Sequence, residues 1–182
     1  MIREMLRMGH PMLRQRAQKL EHSFIKTNEF RELLIDLEES MIHYGGIGLA
    51  GPQIGVGLQI AVIKLSGMNR YNELIELPKT YFINPQINIL DPQTKGYWEG
   101  CLSVPGLRGF VERAQKIKVN YTDENGQLRE LVAENFLATV IQHELDHLEG
   151  ILYIDRLKDT KLLSFQNEFV QFHSASLDLT HE

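Results

Sequence analysis

Ala133-Glu134-Asn135-Phe136-Leu137-Ala138-Thr139-Val140-Ile141-Gln142-His143-Glu144-Leu145-Asp146-His147-Leu148-Glu149 is the stretch that decides the fold. Turned at about 100° per residue, it divides into three sectors. Phe136, Val140, His143 and His147 share one stripe, Leu137, Ile141, Leu145 and Leu148 a second, and Asn135, Gln142, Asp146 and Glu149 a third. The second is the core stripe of an amphipathic helix and the third its solvated face. The spacing therefore predicts a helix over residues 133–149, closed by Gly150. The first stripe sets two histidines in line with apolar side chains. At positions i and i+4 their imidazoles stand one above the other and can reach a single metal ion. Glu144 is angled about 100° away from His143, where it can take a proton from water without acting as a ligand. The pattern points to a metal-binding helix beside an apolar pocket, with Phe136 and Val140 as candidate walls.

Upstream of this helix the chain reads as short strands. Candidate strands cover residues 58–65, 81–83, 86–90, 101–104, 116–121 and 127–132, with a polar excursion at 66–80. Asn84-Pro85, Asp91-Pro92 and Asn125-Gly126 read as turns between them, the last as a hairpin. Further back, Phe30, Leu33, Leu34, Leu37 and Met41 recur at helical spacing after a cap at Thr27 or Asn28, and the run stops at Gly45-Gly46. A final helix is expected over residues 158–172, with Leu162, Phe165, Phe169 and Phe172 on its apolar side. Helices flanking a run of hairpin-linked strands make an α+β fold: short, mostly antiparallel strands packed around a central metal-binding helix, with a C-terminal helix. With no internal repeat or linker-like stretch, residues 1–182 read as a single catalytic domain.

Hydrophobic residues make up 43% and charged residues 24% of the 182, which is ordinary globular usage. No apolar run approaches the roughly 18 residues that a membrane helix needs. The first residues do not continue into an apolar signal segment. Nineteen basic against twenty-four acidic residues leave a net charge of −5, and no Lys/Arg block is present to neutralise phosphates. Direct DNA binding and a membrane partner are therefore not expected. The single cysteine, Cys101, excludes an internal disulfide and suits a reducing, cytoplasmic location.

A metal that activates water usually keeps three protein ligands and one open position. Three residues compete for the place beside the two histidines. Glu168 follows His147 by 21 residues, a spacing similar to zinc peptidases with a glutamate ligand on a later helix, and His173 lies beyond it. Cys101 stands upstream in Glu99-Gly100-Cys101-Leu102-Ser103, where a thiolate flanked by glycine can approach an ion closely. The chemistry leaves Cys101 and Glu168 both open. Gly46-Ile47-Gly48-Leu49-Ala50-Gly51 matches a dinucleotide-binding glycine pattern, but a helix precedes it and a strand follows, the reverse of what that fold requires. What remains is a loop able to run close beside a ligand. Gln53 at its end can offer its amide to a developing oxyanion.

Taken in order, Gly46-Ile47-Gly48-Leu49-Ala50-Gly51-Pro52-Gln53, Glu99-Gly100-Cys101-Leu102-Ser103 and Gln142-His143-Glu144-Leu145-Asp146-His147 resemble the three motifs of the peptide deformylase family. The resemblance implies a metallohydrolase that removes the N-formyl group from the initiator N-formylmethionine of newly made polypeptides, releasing formate. It implies Cys101, His143 and His147 as ligands of one divalent ion, natively Fe²⁺, with Zn²⁺, Ni²⁺ or Co²⁺ also suited to such ligands. Glu144 would move the proton, and the Gln53 amide with the Leu102 backbone N–H would stabilise the oxyanion. Ile47, Phe136 and Val140 would form the methionine pocket with Arg108 at its rim. Backbone groups of Ile47 and Gly100 would hold the peptide as an added strand, with Gly48 counted among the substrate-binding residues. Glu99 and Arg113 resemble the family's ion pair beside the cysteine. Gly51 stands where the family more often has alanine, which would loosen the loop. Formyl-methionyl nascent peptides are the implied partners, with transient ribosome contact. Residues 156–182 nevertheless form no basic tail for RNA. The alternative reading is a zinc metallopeptidase using Glu168.

Overall fold

Thr27 opens the first helix, α1 (Asn28–His43), by accepting the Phe30 amide hydrogen on its hydroxyl at 3.1 Å. Phe30, Leu33, Leu37 and Met41 then bury one face against a cluster that includes Leu49, Ile60, Val62, Tyr81 and Ile83. The computed structural model describes residues 1–69, 71 and 73–174. Its sheet runs in the order β1 (Gly48–Ala50), β2 (Ile60–Met68), β3 (Leu74–Cys101), β4 (Val104–Thr122), β5 (Leu128–Glu134), every neighbouring pair antiparallel. A short strand, β6 (Leu163–Phe165), pairs with the start of β4. The central helix, α2 (Asn135–Leu148), lays Ala138, Ile141, Leu145 and Leu148 onto Ile63, Phe82, Ile117 and Val119. The architecture is the α+β class expected, and a C-terminal helix, α3 (Gln166–Phe172), follows. No helix among the described residues is long and apolar enough to cross a membrane.

The strands are longer than the sequence suggests. Asn84-Pro85 and Asp91-Pro92 do not turn the chain; they fall at register shifts within β3. A bulge accommodates a proline, which has no N–H to give to the ladder. At the first of them Asn84 takes a φ of 49°, and its side chain bonds both the N–H and the C=O of Leu20 at 2.8 Å. The expected polar excursion at 66–80 belongs largely to the β2–β3 ladder, with Ser66 opposite Glu76 and Met68 opposite Leu74. Its buried Ile75 and Leu77 alternate with exposed Leu74 and Glu76, a period of two masked by polar residues on the open face. Residues 101–104, expected as a strand, are the tight Leu102-Ser103 turn joining β3 to β4.

Two helix boundaries also move. Ala133 and Glu134 pair with Ile117 and Lys116 in β5, so α2 begins at Asn135, whose φ of 54° turns the chain out of the sheet. Its third sector is only partly a solvated face: Asn135 and Glu149 are exposed, but Asp146 is buried between two arginines, and the Gln142 amide donates to the Ala114 carbonyl. The expected helix over residues 158–172 breaks into a 3-10 turn (Thr160–Leu162), β6 and α3. Backbone pairing of Leu163–Phe165 with Leu107–Gly109 takes these residues out of the helix. Phe169 alone of the four apolar residues is buried; Phe165 and Phe172 face outward and Leu162 is half-buried.

The Asn125-Gly126 hairpin forms as read, with Gly126 at a φ of 79°. Asp123 locks it: Oδ1 accepts the Asn125 and Gln127 amides at 2.9 Å and Oδ2 accepts Arg129 Nε at 2.8 Å. Burial opposes ionisation of Asp123, but these donors outweigh it and hold the carboxyl below its ordinary 3.8. Asp123→Ala should cost about 2 kcal/mol at pH 7. Because the folded pKa is depressed, that contribution is whole above the unfolded value and is lost as pH falls through the folded one. Urea unfolding should show the gap between variant and parent closing below about pH 4; a gap unchanged down to pH 2 contradicts this.

Candidate active site

Cys101 ends β3, and its Sγ meets His147 Nε2 from α2 at 3.3 Å. One ligand atom each from Cys101, His143 and His147 lies within 4.8 Å of the others, the one such grouping among the described residues. Glu168 is exposed on α3 and His173 stacks beside Trp98, so neither joins it. Burial alone would push the Cys101 thiol up, but His147 and His143 outweigh it and hold the group well below an ordinary thiol. A thiolate and two imidazoles with no carboxylate in the set suit one divalent ion with an open position.

Beneath the cluster lies a buried chain of charges. The Glu99 carboxylate accepts the His143 Nδ1 proton at 2.7 Å, which turns Nε2 of that ring to the ligand role. Glu99 also accepts two bonds from Arg113, Nε at 2.6 Å and Nη2 at 3.0 Å. Arg113 Nη1 reaches Asp146 at 2.7 Å, and Asp146 accepts Arg156 in turn at 2.6 Å. Burial opposes charge on Glu99, yet the hydrogen bonds from His143 and Arg113 prevail and take its carboxyl to about 2. Glu99 and Arg113 are thus a buried pair and not a surface one.

Glu144 is different. Burial raises its carboxyl, and Oε2 is buried with no hydrogen-bond partner in the structure. A carboxylate oxygen left unpaired in a protein interior is costly unless a further group completes it. Gly48 of β1 makes room for this side chain, since a Cβ there would lie 2.5 Å from Glu144 Oε1. Glu144 also lines a cavity of about 490 Å³, and nothing in the structure is bonded to Oε2.

The wall of that cavity gathers Ile47, Gly48, Gln53, Gly100, Cys101, Leu102, Arg108, Phe136, Val140, His143 and Glu144, which the sequence had scattered over three segments, with His147 buried behind. Gln53 sits in a 3-10 turn (Gly51–Ile54), buried, its Oε1 accepting the Ala50 amide at 2.8 Å. Gly51 does not loosen this loop: a Cβ would meet the Val56 and Leu58 carbonyls at 2.8 and 3.1 Å, so the glycine permits tight packing. Arg108 lies directly over Gly100, where a Cβ would be 1.9 Å from Nη1, and its Nε donates to Gln166 of α3 at 2.6 Å. Trp98, Thr139, Arg7, Tyr44 and Gln166 also line the cavity, although no motif marks them. Trp98 and Thr139 stand one and four residues from candidate ligands or their supports, which is the signal that could have found them. Arg7, Tyr44 and Gln166 arrive through tertiary contacts and left no such signal.

Known proteins resemble this chain in sequence and fold. A family profile described as Polypeptide deformylase matches residues 2–162. A peptide deformylase of Leptospira biflexa is 45% identical over 168 residues, covering 92% of this chain and 94% of its own. Peptide deformylase 2 of Pseudomonas syringae is 41% identical over 167 residues, 92% and 93% of the two chains. The class I type b peptide deformylase of Acinetobacter baumannii, solved with Met-Ala-Ser bound, superposes with a TM-score of 0.82 at 30% identity, covering 86% of this chain and 99% of that one. That of Synechococcus elongatus, in complex with actinonin, gives 0.75 at 38% identity, covering 86% and 79%.

Removing the cation from the buried charge chain should be severe. Arg113→Met strands Glu99 and Asp146 without their shared partner and should cost about 3–5 kcal/mol in urea unfolding. A loss below about 1 kcal/mol, the scale of a surface pair, would show that the chain is not what holds the cluster's base.

Proposed function

This chain belongs to the peptide deformylase family of metal-dependent hydrolases, and we propose that it hydrolyses the N-formyl group from the initiator N-formylmethionine of newly made polypeptides, releasing formate. The observation that carries this reading is the buried, unpartnered Oε2 of Glu144 on the wall that the cavity shares with the Cys101–His143–His147 cluster. A zinc metallopeptidase built on Glu168 is not supported, because that carboxylate stands outside the cluster.

Cys101, His143 and His147 would hold one divalent ion, with Fe²⁺ as the native choice and Zn²⁺, Ni²⁺ or Co²⁺ chemically compatible. Such an ion, when bound, lowers the pKa of water and polarises a carbonyl oxygen. Glu144 takes the proton of the attacking water on a carboxylate oxygen. Its carboxyl, raised by burial, gives that proton up again to the departing amine nitrogen, so one group serves both halves of the hydrolysis. As charge gathers on the formyl oxygen, the Gln53 amide and the Leu102 backbone N–H donate to it; prepositioned donors of this kind are worth about 3–4 kcal/mol each.

The methionine side chain packs against Ile47, Phe136 and Val140. The peptide backbone adds along β1, which stands at the edge of the sheet, using Ile47 and Gly48 on one side and Gly100 on the other. Arg108 guards the rim, its guanidinium steadied by Gln166. Backbone pairing reads no downstream side chains, which suits an enzyme acting on many different nascent chains. Met-Ala-Ser bound to the Acinetobacter baumannii relative is a peptide of the kind this site would release. We place the activity in the cytoplasm, with transient ribosome contact and without DNA or membrane as partner, and assign residues 1–182 to one catalytic unit.

Formate release from formyl-Met-Ala-Ser, with metal analysis on protein purified without oxygen, tests this. Glu144→Gln should lower kcat at least about 100-fold while metal stoichiometry stays at the parental value. Cys101→Ala should lose metal and activity together. Full activity in Glu144→Gln would remove the assigned proton carrier.

A further inference from the structure

Ser103 has no part in the reading above, yet it sits fully buried in the turn between β3 and β4, two residues after Cys101. Its Oγ accepts a hydrogen from Gln53 Nε2 at 3.2 Å, and its own hydroxyl hydrogen is directed to the sulfur of Met5 at 3.9 Å. The Gln53 amide is thereby specified on three sides. The Ala50 N–H donates to Oε1, which fixes the flip, because the reverse orientation would set donor against donor. Of the two Nε2 hydrogens, one goes to Ser103 Oγ and the other is donated to Cys101 Sγ at 3.5 Å, Gln53 and Cys101 both lining the cavity. The N-terminal segment ties both partners from behind: Leu6 N–H donates to the Gln53 carbonyl at 2.8 Å and Met8 N–H to the Ser103 carbonyl at 2.7 Å. Met5 itself is buried, so the arrangement is closed to water on that side.

We propose that Ser103 is a positioning residue: by accepting one hydrogen of the Gln53 amide, and being held by the segment from Met5 to Met8, it keeps the other turned to the Cys101 side of the cavity, where a substrate carbonyl oxygen would accumulate charge and take it up. A donor fixed before the reaction costs no reorganisation during it, which is what makes an oxyanion donor effective. Without the hydroxyl, the amide plane is held at Oε1 alone and can swing, and one buried N–H loses its acceptor. Binding of the peptide, carried by β1 and the pocket walls, does not pass through this contact. The effect belongs to kcat and not to KM, and it passes entirely through Gln53. This inference rests on the oxyanion role given to Gln53 under the proposed function.

The test is a double-mutant cycle on formyl-Met-Ala-Ser, with metal content and melting temperature read alongside. Ser103→Ala should lower kcat about 10-fold, an order below the loss of a whole oxyanion donor, with KM within about twofold. In a Gln53→Ala background the same substitution should change kcat less than about twofold, the signature of two residues acting as one unit. An equal loss in both backgrounds, or full kcat in Ser103→Ala, overturns the proposal. Should Ser103→Ala lose metal or fold, the equal-sized pair Ser103→Thr and Ser103→Val decides: threonine keeps the acceptor and must exceed valine about 10-fold in kcat, whereas equal rates overturn it. A parent protein that releases no formate would instead bring down the proposed function. In that event the two Gln53 side-chain amide proton resonances, read by NMR without substrate, still decide. A marked shift of one of them in Ser103→Ala supports the positioning, and two unmoved resonances refute it.

Discussion

A sulfur atom at the end of one strand rests 3.3 Å from an imidazole nitrogen near the end of a helix, and the surrounding structure is arranged to keep it there. The two come from positions 46 residues apart. They meet because β3 crosses the sheet to deliver Cys101, while α2 buries its apolar stripe against the same sheet and turns His143 and His147 toward the strand end. A thiolate in a buried place is unfavourable by itself, so the neighbourhood must supply compensating positive charge. The imidazoles do this directly, and any divalent ion held among the three would do so more strongly.

The layer below solves a second electrostatic problem. Glu99 orients His143 but brings another buried negative charge, which Arg113 neutralises; Arg113 in turn needs Asp146, and Asp146 is completed by Arg156 toward the surface. Each member satisfies the one before it, so the carboxylates here are all paired. Among the described residues, Glu144 alone of the buried carboxylates keeps an oxygen with no partner in the structure, and it lines the cavity. That contrast between satisfied and unsatisfied carboxylates underlies the division of support from chemistry in the proposed function. Close approach of backbone makes it possible: the missing side chain at Gly48 admits Glu144, and that at Gly100 admits the Arg108 guanidinium.

Much of this was legible in the sequence where the signal was local. The cap and 3.6-residue period of α1, the core and histidine stripes of α2 and the Asn125-Gly126 turn each depend on residues within one or two turns of chain, and they form where they were read. The long strands were hidden because Pro85 and Pro92 look like turn residues, and only the pairing with β4 turns them into bulges. The last helix was overdrawn because a 3.6-period pattern cannot reveal that the backbone of Leu163–Phe165 has a free strand edge to pair with. Asp146 was taken for a solvated residue since a charge belongs outside until a partner is known, and its partner Arg113 is 33 residues away. In the site, the motifs named the residues that the fold brings together as the Cys101–His143–His147 grouping and along the cavity wall. Gln166 and the segment from Met5 to Met8 meet these residues through backbone and long-range contacts that leave no pattern in composition.

Everything rests on one cysteine sulfur and two histidine nitrogens sharing a single ion. X-ray absorption at the edge of the bound metal, on full-length protein purified without oxygen, reads that shell directly. The account predicts one sulfur at about 2.3 Å and two nitrogens at about 2.0–2.1 Å, with the sulfur contribution gone in any metal retained by Cys101→Ser. A shell of nitrogen and oxygen alone in the parent protein would contradict it.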